Sequence, residues 1–404
     1  MSTTADSPQK TALWGEDDAL VRVQGLTLDI ETEQGTAHIL RGVSMAVRRG
    51  ETLGIVGESG SGKSMTLRAV LGLTPAGSTL RGTMRFDGQD LSTMRPEARR
   101  LLLGRRVGVV FQNPMTSLNP VRTIAQQMGE AVRFHQKLSK AQARDLCADL
   151  LDQVGIPNAR KRLRDYPHQF SGGMRQRVMI AMALTCSPDL LIADEATTAL
   201  DVTIQKGILD LLQRLQAERE MAMIIVSHDL SVVSGRTDNV IVMYGGRIVD
   251  ERPTERLFTP PVHPYTKALM LAIPRLDMPA HTRLPALGGN PPTVFDPIMT
   301  PEEADERDLQ RWNTISTGIA DPGELPDAVE ADVPTTPPDG VLGEEAAAVD
   351  VLSAQQQAGI AEGGDPDAAQ GTLFEPIAAE DSALADERSV ADEQAIADDE
   401  GAGR

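Results

Sequence analysis

The octapeptide Gly57-Glu58-Ser59-Gly60-Ser61-Gly62-Lys63-Ser64 constrains this chain more than any other stretch. It fits the pattern GxxxxGK[ST] and sits directly after the apolar run TLGIVG (52 to 57) and directly before the helical run MTLRAVLGL. A strand that turns through glycines into a helix leaves successive amides pointing into one concavity, where the helix N-terminus adds partial positive charge. Such a turn cradles phosphate oxygens. Lys63 can reach the β and γ phosphates of a nucleotide, and the Ser64 hydroxyl can hold Mg2+. The candidate phosphate-binding set is therefore Gly57, Glu58, Ser59, Gly60, Ser61, Gly62, Lys63 and Ser64, with Met65 next in the helix.

The pattern of the remaining runs is that of an α/β chain. LVRVQGLTLDI alternates well enough for one or two strands packed on one face. Further strand signals are RVGVVF (106 to 111), LLIAD (190 to 194), MAMIIVS (221 to 227) and NVIVMY (239 to 244), several of them near-continuous apolar runs. Strands of a parallel sheet covered on both faces read this way. Residues 119 to 186 show helical periodicity with no good strand, which predicts a helical insertion. A turn and short strand follow at 245 to 250, then a Pro-punctuated stretch with a short helix near 263 to 272.

Charge divides the chain. Residues 296 to 404 hold 28 acidic side chains against four basic ones, a net −24, whereas the first 295 residues carry +5. The acidic stretch is rich in Ala, Gly and Pro and poor in aromatics, so composition predicts disorder there, around at most a short helix near 308 to 314. No run approaches the ~20 apolar residues that cross a bilayer, and the opening MSTTADSPQK lacks the regions of a secretory signal. A cytoplasmic protein is expected. Cys147 and Cys186 stand in no CxxC pair and read as small buried apolar residues. The basic groups Arg95, Arg99, Arg100, Arg105, Arg106 and Arg160, Lys161, Arg162, Arg164 lack interleaved aromatics, so they read as solvated faces and no nucleic acid is expected as partner.

Asp194 ends the apolar run LLIAD, with Glu195 immediately after it. In a chain with a phosphate loop, an acid at that place can bind Mg2+ through its water shell, and a carboxylate one residue on can orient the attacking water. At this point the chain resembles the nucleotide-binding subunits of ATP-binding cassette (ABC) transporters. Phe170-Ser171-Gly172-Gly173-Met174-Arg175-Gln176-Arg177 is similar to that family's signature motif, Gln112 to its Q-loop glutamine, Ala199-Leu200-Asp201 to its D-loop and His228 to its switch histidine. FQNPMTSLNPVRTI, HPYTKALMLAIPR (263 to 275) and Gly289-Asn290-Pro291-Pro292 further resemble the ATPase subunits of oligopeptide, dipeptide and nickel importers.

The resemblance implies a RecA-like parallel-sheet core with an antiparallel β subdomain and a helical insertion. Composition sets apart a flexible segment 1–18 and the acidic, mostly disordered tail 296–404; between them the resemblance implies a nucleotide-binding domain 19–250, with its helical subdomain at about 119–186, and an importer-type extension 251–295. It implies ATP and Mg2+ as ligands, with Ser64, Gln112 and Asp194 at the metal, Glu195, His228 and Gln112 in catalysis, and Ser171, Gly172, Gly173, Gln176 and Asp201 reaching ATP from a facing subunit. The implied partners are a second ATPase subunit, the same or a paralogue, two membrane permeases and an extracytoplasmic binding protein, at the cytoplasmic face of the membrane.

Two departures stand out. Relatives commonly stack an aromatic side chain on adenine roughly thirty residues before the loop lysine; here Ile30 holds that place, so apolar contact replaces stacking unless His38 or Trp14 reaches the base. The cysteine cluster that binds an iron–sulfur centre in many importer subunits has no counterpart after Cys186, and no such cluster is expected. A soluble ABC ATPase acting on DNA, RNA or ribosomes would carry two cassettes, zinc cysteines or coiled-coil arms. An ABC exporter subunit is disfavoured by HPYTKAL.

Overall fold

A computed structural model of the chain describes residues 18–111, 117–196, 201–259, 263–273, 292–299 and 303–307. Two long strands come first, β1 (Ala19–Thr32) and β2 (Gly35–Arg48), followed by β3 (Thr52–Val56) and helix α1 (Lys63–Leu71). Then come β4 (Ser78–Phe86), β5 (Gln89–Asp90), α2 (Pro96–Arg106) and β6 (Val107–Val110). Four helices fill the next stretch: α3 (Ile124–Gln136), α4 (Lys140–Gln153), α5 (Ala159–Arg162) and α6 (Gly172–Ala183). The chain returns to the sheet with β7 (Leu190–Asp194), α7 (Val202–Arg219), β8 (Ala222–Ser227), α8 (Leu230–Val233), β9 (Asn239–Tyr244), β10 (Arg247–Pro253) and α9 (Pro264–Leu271).

The strands form two sheets. A four-stranded antiparallel sheet has the order β2-β1-β4-β5, and a six-stranded sheet has the order β10-β9-β3-β8-β7-β6. In the larger sheet β9, β3, β8, β7 and β6 run parallel and only β10 is antiparallel to its neighbour. Alternation along each central strand explains its continuous apolar sequence, because successive side chains serve opposite layers. Leu53 and Ile55 of β3, Leu190 and Ile192 of β7 and Ile224 and Val226 of β8 pack with Leu28, Leu40 and Phe86 of the antiparallel sheet. Val56, Leu191, Ala193, Met223 and Ile225 face the other way, into a core shared with α6 and α7.

The helical region starts where local sequence says it should. Thr123 and Ser139 each accept from the backbone three residues on, while Gln126 and Gln142 reach back to the cap, so α3 and α4 both open on capping boxes. Cys147 lies buried in this layer, where burial pushes its thiol up to about 11.

Some arginines read from sequence as a solvated face are structural instead. Arg106 lies over the Phe86 ring and pairs with Asp87 at 2.8 Å and Asp189 at 2.5 Å. Arg99 donates to the carbonyls of Ala69 and Val70 at the end of α1. A charged cluster in sequence does not say which of its members meets an acceptor, and these two tie the sheets and α1 together.

The change in composition at Asp296 does not coincide with a change in packing. Arg41 donates to the carbonyls of Thr293 and Asp296 at 2.7 and 3.2 Å. Residues 303–307 form a helical turn whose Asp305 pairs with Arg247 at 2.6 Å, and Arg307 lies 3.8 Å from Asp296. The helix expected near 308 to 314 falls outside the described residues. A chain ended after Phe295 keeps the Thr293 contact but loses those of Asp296, Asp305 and Arg307, whereas one ended after Arg307 keeps them all. At about 1 kcal/mol for such half-buried polar contacts, the shorter chain should melt roughly 2 to 4 °C below the longer one in a thermal unfolding scan.

Candidate nucleotide-binding site

The loop after β3 owes its shape to close backbone approach. Gly57 has φ +153°, and a Cβ there would sit 2.2 Å from the Met243 carbonyl oxygen at the end of β9. On the other side, the turn between β9 and β10 supports the loop, with Gly246 N–H donating to the Ser61 carbonyl at 3.1 Å. Gly246 also has to be bare, since a Cβ would lie 2.5 Å from the Ile39 carbonyl oxygen. Lys63, almost wholly buried, donates from Nζ to the carbonyls of Gly57 and Glu58, at 2.7 Å each. Burial pushes its pKa down, while the charges of Glu195, Asp194 and Glu58 pull the other way.

Parallel strands deliver the acids. Asp194, last in β7, accepts from the Ser64 hydroxyl at 2.9 Å. Burial pushes the Asp194 carboxyl above its ordinary range, with the Ser64 hydrogen bond opposing the shift and the Glu195 charge adding to it. Glu195 has the left-handed φ of +47°, and its N–H donates to the Val226 carbonyl at 3.1 Å. That bend turns the chain out of the sheet. His228, after β8, is half exposed, with Nδ1 3.8 Å from Glu195 Oε1.

An open cleft of about 390 Å3 is lined by Ser59, Gly60, Gly62, Lys63, Ser64, Met65 and Glu195 together with His38, Arg41 and Pro292 to Val294; Asp194 sits behind Ser64, and His228 faces a separate hollow beside α7 and α9. Ile30 does not line it. In the β1–β2 register Ile30 pairs with Ala37, one step beyond the Asp29–His38 pair, and it is the His38 ring that reaches the cleft. His38 Nδ1 lies 2.7 Å from Asp29 Oδ1, and Arg81 donates to the other Asp29 oxygen at 2.7 Å. Burial opposes the ionised Asp29 carboxyl, but the hydrogen bonds and charges of His38 and Arg81 prevail and hold it below its ordinary range. His38 N–H donates to the Val294 carbonyl at 2.6 Å, so the late segment 292–296 closes over β2 beside the cleft. Trp14 lies outside the described residues.

The signature residues lie away from this cleft. Ser171 is the N-cap of α6, accepting from Met174 N–H at 3.4 Å, and Ser171 and Gly172 are exposed. Gly173 is buried beneath α7, where a Cβ would sit 3.0 Å from Ile204 Cγ2. Gln176 departs from the expectation that it reaches a nucleotide on a facing subunit. It is wholly buried one turn into α6, and its amide has no hydrogen-bond partner among the described residues. Asp201 caps α7, accepting from Ile204 N–H at 2.9 Å. Gln112, Ala199 and Leu200 lie outside the described residues.

Sequence reasoning missed Arg41, the Gly245–Gly246 turn and Pro292 to Val294 as cleft residues. The paired glycines between two strands were a usable signal for the turn. Nothing local marks the others, whose contacts span some 250 positions of chain.

Comparison with known proteins agrees with this geometry. The chain matches the ABC transporter family over residues 40–198 and the "Oligopeptide/dipeptide transporter, C-terminal region" over residues 249–298. It is 46% identical over 278 residues to the oligopeptide transport ATP-binding protein OppD of Escherichia coli K12, covering 69% of this chain and 82% of that one. To the dipeptide transport ATP-binding protein DppD of Bacillus subtilis 168 it is 45% identical over 282 residues, covering 69% and 84%. Among solved structures it resembles the ADP- and phosphate-bound dimer of the ATP-binding cassette MJ0796, at 26% identity and TM-score 0.53 over 58% of this chain and 98% of that one. It also resembles cbiO1 of Clostridium perfringens, part of the transporter complex cbiONQ, at 30% identity and TM-score 0.51 over 60% and 91%. No described helix is long and apolar enough to cross a membrane. With loop, strand-end acids and C-terminal region all accounted for, the chain belongs to the ABC transporter ATP-binding proteins of the oligopeptide/dipeptide subfamily.

Proposed function

We propose that this ATPase works at the cytoplasmic face of a membrane, where ATP-driven closure of paired cassettes powers uptake of oligopeptides or dipeptides through separate permease chains. The observation that carries the reading is the Ser64–Asp194 hydrogen bond with Glu195 beside it at the mouth of the phosphate loop. Its substrate class rests on relatives named for oligopeptide and dipeptide transport and on the matching C-terminal region. Nickel or another small solute is the second reading, and an extracytoplasmic binding protein delivers the solute in either case.

The donor set suits a hard cation, since the Ser64 hydroxyl and the Asp194 carboxylate are already in contact and Gln112 would add a third oxygen donor by residue type. Mg2+ held by Ser64, Asp194 and Gln112 would offset charge on the phosphate oxygens. Loop amides from Gly60 to Ser64 and the Lys63 ammonium bind and orient the phosphates. Glu195 orients the attacking water, and His228 contacts the terminal phosphate. The exposed Ser171 and Gly172, at the start of α6, offer a hydroxyl and amides to a nucleotide held by a second cassette, the same chain or a paralogue. Pairing of two cassettes is supported by the dimeric MJ0796 structure. Gly173 and Asp201 shape that face through packing and capping. Gln176 is left out of it by burial.

Glu195→Gln should retain ATP binding, lose nearly all hydrolysis and accumulate a closed dimer, because the amide keeps the volume but cannot orient water as a base. Lys63→Ala should instead weaken nucleotide binding itself. Turnover by Glu195→Gln at close to the wild-type rate would remove Glu195 from this role.

Among the described residues lining the cleft, His38 carries the only aromatic ring. ATP and GTP affinities should therefore differ by less than about tenfold, while His38→Ala should weaken both by a similar factor. A competition titration measures the ratio, and a much larger preference for ATP would show that an edge-reading group is at work.

A further inference from the structure

One contact to the phosphate loop comes from the far C-terminal side of the fold. Tyr265, in the first turn of α9, is fully buried, with its ring 4.4 Å from that of Tyr244. Its hydroxyl accepts from the Glu58 N–H at 3.0 Å, which places the phenol beside that residue, close enough for the Glu58 charge to act on it. Burial pushes the phenol far above its ordinary range, so it stays an O–H donor throughout the working pH range. The tyrosine is itself held in place. Its N–H donates to His263 Nδ1 at 3.2 Å, and the His263 N–H donates to Asp250 at 3.2 Å, next to the Asp250–Arg252 pair on β10.

Glu58 is the one acidic residue in a loop that binds anions. A carboxylate swung to the cleft side would lie among the phosphates and repel them. Glu58 is in fact absent from the residues lining the cleft, although Ser59 and Gly60 are among them. We propose that Tyr265 is a positioning residue for the ATP site, whose hydroxyl holds the Glu58 N–H and so keeps the Glu58 carboxylate on the side of the loop away from the phosphates. The C-terminal extension thereby belongs to the nucleotide site. This inference rests on the reading of Gly57 to Ser64 as the phosphate loop.

The test is a double-variant cycle on the full-length chain, with ATP affinity, steady-state kcat and KM, and thermal unfolding measured for wild type, Tyr265→Phe, Glu58→Gln and both together. Tyr265→Phe keeps the ring and removes one oxygen. It should raise the ATP Kd and KM about fivefold, with kcat within about twofold and melting within a few degrees of wild type. Against the Glu58→Gln background, where no carboxylate needs restraint, the same substitution should cost less than about twofold. ATP binding by Tyr265→Phe at wild-type strength would overturn the proposal, as would an equal loss in both backgrounds, which marks a packing role only. Failure of the wild type to bind ATP would instead overturn the phosphate-loop reading, and this inference with it.

Discussion

Parallel pairing of β3, β8 and β7 brings three loops to one edge of one sheet, and every chemical feature of the protein depends on it. Parallel strands all point their C-terminal ends the same way, so residues that follow them converge without special design. Gly57 follows β3, His228 follows β8 and Glu195 follows β7. The positions are 171 residues apart along the chain at the extremes, yet Ser64 and Asp194 share a hydrogen bond of 2.9 Å. The antiparallel sheet then serves as a wall. It covers the second face of β3 and β7, and its β2 contributes His38 and Arg41 to the cleft.

Electrostatics at this edge is costly by itself and compensated within the set. Burial works against both the Lys63 ammonium and the Asp194 carboxylate, each of which is moved toward its neutral form. Removing either partner leaves the other charge in a desolvated place with less opposing charge nearby, which is the arrangement proteins tolerate least. The loop carbonyls of Gly57 and Glu58 and the Ser64 hydroxyl supply the hydrogen bonds that make the pair tenable. A site assembled this way is pre-organised, with groups already oriented for an anion and its counter-ion.

What was legible in the sequence was local. The central strands could be read from runs such as LLIAD and AMIIVS because two-sided burial leaves no polar alternation. The loop could be read because glycine spacing and its lysine sit together, and the helical insertion because residues 119 to 186 keep a helical period with no strand-like run. Long-range contact was not legible. Ile30 and His38 show this most clearly: counting back from Lys63 points to Ile30, but register shifts in the β1–β2 pairing and the hairpin turn decide which side chain comes to the cleft. Arg99 and Arg106 fail for a related reason, since their partners are carbonyls of α1 and acids at Asp87 and Asp189. Gln176 stands in a motif that invites a functional role, yet helix phase turns it inward while Ser171 and Gly172 stay at the surface.

The C-terminal region changes meaning in this light. In composition it is an appendage, first Pro-punctuated and then acidic. In structure it grips the nucleotide cleft at two places, with Tyr265 on the Glu58 amide and Val294 on the His38 amide. Cassette chemistry is shared across transporters that carry unrelated cargo, so a phosphate loop says nothing about substrate. Segments that attach to the loop from outside the common core are a different matter, because they give a branch of the family its own handle on a shared site. A shift of α9 by an ångström would break a 3.0 Å hydrogen bond to the loop, and the loop's affinity for phosphate would register it. The extension is therefore tied to the phosphate loop through the Tyr265 hydroxyl on the Glu58 amide.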